Sequence, residues 1–146
     1  MPIVDFEDIQ FENRDLKTNL MHEVQVWVSG IKELEVGPEH VVPGIKEVMR
    51  LEPGKIIVIY VQELFTESMS GKLRDAETRK KIIQIIKTGF NHFIASHEDE
   101  FVDDVEQAVD QPYINIRPRE VVVVIRMVDR NEGEYDSWTV PAPSEK

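Results

Sequence analysis

The sequence predicts a single α/β (α+β) domain of two β-α-β halves, forming a four-stranded sheet with helices on one face. Three observations carry this. Two long segments repeat apolar residues at helical spacing. Two short runs, residues 56–61 and 121–128, are almost wholly Val, Ile and other strand-favouring types. The elements alternate strand, helix, strand, twice over, so each helix must cover a sheet face. At 146 residues with no Cys, the chain is long enough to bury a core without disulfides.

The first half spans about residues 2–50. Residues 2–6 read as a strand that extends towards Ile9. A turn at residues 12–15 follows, with Asn13 or Asp15 placed to cap a helix. Leu16, Leu20, Val24, Trp27, Val28 and Ile31 form one buried helical face. The helix is expected to stop near Val36-Gly37-Pro38, where Gly suits a C-cap and Pro cannot continue. Val41 and Val42 point to a strand, but Pro43-Gly44 breaks the pattern, so an interrupted or an edge strand is expected.

The second half spans about residues 55–128. Residues 56–61 read as a strand buried on both faces. A loop over residues 63–75 leads to a helix over about 75–96, with Ile82, Ile83, Ile86, Phe90 and Phe93 as its buried stripe. Gly89 is a mild liability there. Residues 97–111 repeat Phe101, Val102, Val105, Ala108 and Val109 at helical spacing against an acidic face, so a helical insert is expected, ended by Pro112. Residues 121–128 form the last strand. The tail, 129–146, is polar and contains Pro, so only part of it is expected to be ordered.

Composition excludes several functions. Asp plus Glu outnumber Lys plus Arg by 28 to 17, a net charge of −11. Such a charge repels phosphate backbones and anionic lipid, so neither nucleic acid nor membrane is an expected partner. No apolar run approaches the ~20 residues of a spanning helix. The acidic start lacks a basic stretch before an apolar one, which predicts a cytoplasmic protein. Absence of Cys removes thiol nucleophiles and thiolate metal sites. Gly71-Lys72 is no phosphate loop, because Thr66 stands where Gly is needed and Leu73 where Ser or Thr is needed. No G-x-G-x-x-G occurs, and His92 and His97 are five apart rather than four. No cofactor or metal is therefore expected. No Ser sits in a nucleophile elbow.

Pro2 is the residue with chemistry to offer. Removal of Met1 would leave a secondary amine at the head of a strand. An exposed α-amino group titrates near ~8, and an apolar pocket lowers that value towards neutrality. Such an amine accepts a proton as a general base, donates one when charged, or attacks a carbonyl. Proline is also simply tolerated at the first residue of a strand.

Residues P-I-V-D-F, a turn with Arg14 and an amphipathic helix resemble the start of the tautomerase superfamily, whose members carry a catalytic N-terminal proline. The segment KLRDAETRKKIIQIIK, and RPREVVVVIRMVDRNEGEYDSW after it, look like the malonate semialdehyde decarboxylase-like branch. The resemblance implies Pro2 as the catalytic group. It implies Arg74, with Lys72 nearby and Arg14, as holders of a substrate carboxylate. It places His40 or Glu39 near the carboxylate that assists the proline. It further implies a homotrimer and a small anionic substrate, a 2-oxo or β-keto acid, turned over by proton transfer or decarboxylation. Two other readings remain at this level: a non-catalytic protein of the same fold that docks partners through its acidic helix, and an unrelated ferredoxin-like module with Pro2 exposed.

Overall fold

The computed structural model describes residues 2–47, 54–65, 70–71, 73–103, 114–129 and 131–142. Its elements are β1 (Ile3–Glu7), α1 (Arg14–Ser29), β2 (Val42–Lys46), β3 (Ile56–Leu64), α2 (Ala76–Ser96), β4 (Glu120–Met127) and β5 (Gly133–Thr139). They form one mixed sheet in the order β2-β1-β3-β4-β5. β1 runs parallel to β2, and β3 parallel to β4. The two units meet where β1 lies antiparallel to β3, with Ile3 opposite Gln62 and Glu7 opposite Val58. The strands of each β-α-β unit are thus direct neighbours, which excludes the split arrangement of a ferredoxin-like module.

The sheet has five strands, not four. The fifth comes from the tail, where β5 pairs antiparallel with β4. Trp138 stands opposite Val121, is 8% exposed, and donates its indole N–H to Asn91 Oδ1 at 2.9 Å. Trp138 is the one buried residue of β5, so the polar composition of the segment concealed the strand.

Alternation along the strands builds the core. Val4 and Phe6, Ile57, Ile59 and Val61, and Val121, Val123 and Ile125 all point to one face. Leu16, Leu20, Val24 and Val28 of α1 and Ile82, Ile86, Phe90 and Phe93 of α2 close over them. The helices therefore share one face of the sheet. They also touch each other at Gly89, whose missing side chain makes room for the Trp27 ring.

Helix boundaries follow local chemistry. Asn13 accepts the N–H groups of Asp15 and Leu16, and Asp75 accepts that of Thr78. α1 ends at Ser29, seven residues before the expected stop at Val36. Gly30 caps it, and 3-10 turns at Lys32–Leu34 and Pro38–His40 carry the chain across to β2. The first of these turns buries Leu34. β2 is an edge strand, the second of the two expectations, but Pro43 and Gly44 do not interrupt it: it runs through both, because an edge strand tolerates the absence of the N–H that Pro lacks. The helical insert is not continued from α2: Glu98–Glu100 is a 3-10 turn, and Val102 bridges to Ile116. Residues 104–111 of that segment lie outside the described residues. Among the described residues, no helix is long and apolar enough to cross a membrane.

Candidate functional site at the Pro2 end of the sheet

Strand direction decides which candidates meet. Pro2 precedes β1 and is buried, and its carbonyl accepts the N–H of Val42 at 2.9 Å. Because β1 and β2 are parallel, the turn holding Glu39 and His40 lies at the same end of the sheet. Because β3 is antiparallel to β1, the end of β3 and the start of α2 lie there too, and these carry Phe65 and Arg74. The β4–β5 turn joins them, since Val128 N–H donates to Leu64 O at 2.7 Å. Arg14 opens α1 at the other end, beyond the whole length of β1, and is exposed. Five strand residues span about 16 Å, so the structure does not bring Arg14 to Pro2. Lys72 lies outside the described residues.

Arg74 is the best-defined cation of this end. It is 8% exposed, and Nη2 donates to Leu34 O at 2.7 Å. Nη1 reaches Phe65 O at 3.4 Å, a weak contact. Nε is buried with no hydrogen-bond acceptor among the described residues. Burial lowers the Arg74 pKa from its ordinary value, and the charge of Glu35 partly opposes that shift. A guanidinium still keeps its proton in a protein, so the site holds a buried cation with one donor uncommitted. Its other donors tie the loop after α1 to the end of β3.

His40 and Glu39 are exposed and face each other, Nδ1 to Oε1 at 3.6 Å, with side chains 54% and 71% accessible. No hydrogen bond or ion pair joins either one to Pro2.

Two residues at this end escaped the sequence reading. Arg79 is 7% exposed and lies 3.4 Å from Glu132 and 3.5 Å from Glu134, tying α2 to the β4–β5 turn. Helical periodicity could have found it, because Arg79 shares the stripe of Ile82, Ile83 and Ile86. Glu35 holds a left-handed backbone, φ 54° and ψ 41°, and accepts a hydrogen bond from Ser70 Oγ. No sequence rule marks a Glu for that conformation.

A concavity of about 520 Å³ opens nearby between the end of α1 and α2, walled by Gly30, Ile31, Lys32, Lys81, Gln84 and Ile85 rather than by Pro2. Among the described residues, no group of His, Asp and Glu is placed to hold a metal ion. Compared with known proteins, the chain matches no family model. No curated protein matches it significantly.

Proposed function

We propose that this protein is a tautomerase-like enzyme acting on a small 2-oxo or β-keto acid through the amine of Pro2, by proton transfer or decarboxylation. The observation that carries the reading is that buried Pro2 and Arg74 lie at the same end of the sheet, the guanidinium having a buried donor without an acceptor. A buried donor left unmatched is costly, and a carboxylate oxygen would satisfy it with a charge-assisted hydrogen bond. The order of the strands also supports the resemblance, because each half is a parallel β-α-β unit and the halves are antiparallel.

In this reading Met1 is removed and burial keeps the Pro2 amine neutral near physiological pH. The amine takes the proton from the carbon next to the substrate carbonyl. The electron pair of that C–H bond moves to form the enolate, whose charge Arg74 steadies. Return of the proton to a different atom completes the tautomerisation. Arg14 has no part, and His40 and Glu39 are rim residues. The resemblance's homotrimer belongs to the same proposal.

Intact mass and turnover of phenylenolpyruvate test the proposal. A mass lacking Met1, and a Pro2→Ala variant that loses most of its turnover while staying folded, are expected. Retained Met1, or undiminished turnover in Pro2→Ala, refutes it.

A further inference from the structure

The helix layer carries a hollow that the chemistry of Pro2 does not use. α1 and α2 run antiparallel and touch where Trp27 lies over Gly89. α1 then ends at Gly30, which adds no side chain, and the chain turns away through the 3-10 turn at Lys32–Leu34. The first half of α2 is left without a partner helix. The gap is a concavity of about 520 Å³, within the size range of small-molecule sites. Along α2 it reaches from Lys81 to Thr88, about 10 Å at 1.5 Å per residue. Its floor is apolar: Ile31, 6% exposed, and the half-buried Ile85.

The charge at its rim is one-sided. Glu33 is the one acid among the described residues lining it, and it already holds Lys81, Nζ to Oε1 at 2.5 Å. Lys32 is exposed at the same rim and, among the described residues, has no side-chain hydrogen bond or ion pair. A chain carrying −11 thus sets an uncommitted cation beside an apolar floor. The floor favours an apolar tail, and the ammonium favours an anionic head. Another protein is a poor fit, because a stable contact needs about 800 Å² from each partner, and a hollow this short offers far less.

We propose that the hollow between the end of α1 and the first half of α2 binds a medium-chain fatty carboxylate. Its carboxylate meets Lys32, and its tail crosses Ile31 and Ile85 towards Thr88. The Lys81–Glu33 pair stands at the opposite end and keeps the only lining acid away from the head group. The inference is independent of the reading of Pro2, which does not line the hollow.

Isothermal calorimetry of the full chain with decanoate tests the proposal. Saturable one-to-one binding with a Kd below about 1 mM is expected. Octanoate, with a shorter tail, should bind about fivefold more weakly. Decyltrimethylammonium has a tail of the same length and a cationic head, and should bind at least about tenfold more weakly than decanoate. Lys32→Glu should weaken decanoate binding by about fivefold or more. Lys80→Glu makes the same change of charge outside the hollow and should leave it within about twofold. Thr88→Trp fills the far end of the hollow and should abolish binding. Lys32, Lys80 and Thr88 are all exposed, so these variants keep the fold. Absence of saturable binding, equal binding of the cationic probe, or wild-type binding by Lys32→Glu and Thr88→Trp overturns the proposal. Decanoate binding that fades as protein concentration rises also overturns it, since a second copy would then fill the hollow.

Discussion

Gly89→Ala is the substitution on which helix propensity and tertiary packing disagree in sign. Gly89 lies inside α2, where exchange for Ala favours a helix by about 1 kcal/mol. A Cβ there would lie 2.4 Å from Trp27 Cε2, 2.5 Å from Cδ2 and 2.8 Å from Cζ2. These are ring atoms in the body of the indole, not the tip of a pliant chain. Overpacking of this kind costs about 1–3 kcal/mol. The net expectation is a loss of about 1 kcal/mol, or a Tm lower by about 4 °C for a chain of this size. Urea unfolding of both proteins measures it directly. In a Trp27→Ala background the obstruction is gone, and the same Gly89→Ala change should stabilise by about 1 kcal/mol. The double-mutant cycle then gives a coupling of about 2 kcal/mol. A higher Tm for Gly89→Ala in the wild-type background, or the same sign in both backgrounds, refutes the packing argument.

Arg14→Ala should leave both turnover and stability almost unchanged, the latter within about 0.5 kcal/mol, because Arg14 is exposed at the far end of β1; steady-state kinetics and a melting curve check this. Glu35→Gly should stabilise by about 1 kcal/mol, since Gly meets no penalty at φ 54°; a lower urea midpoint would show that the contacts of the Glu35 side chain outweigh the strain. The Asp75 pKa lies below the ordinary carboxylate value, chiefly through the Thr78 N–H bond. Its native pKa is depressed, so the stability from its charge is present above the unfolded pKa and fades as pH falls through the native one. Asn at this position still caps, so the deficit of Asp75→Asn relative to wild type should shrink towards zero from about pH 7 to about pH 2, as read by urea midpoints.

The sequence by itself determined the elements whose periodicity is strong. The Ile and Val runs became β3 and β4, the stripe from Ile82 to Phe93 became the buried face of α2, and Asn13 capped α1. These are local properties: side-chain spacing and a cap depend only on neighbours within a few residues. Only the tertiary structure decided which loops share an end of the sheet. That followed from β1 running antiparallel to β3, which puts Arg74 at the same end of the sheet as Pro2 and Arg14 at the other. The left-handed Glu35 and the strand around Trp138 were also decided at the tertiary level, whereas the burial of Arg79 lay in the helical periodicity. Gly89 shows the difference most plainly. Alone in a helical pattern it reads as a weakness, and against Trp27 it is the residue that lets α1 and α2 approach.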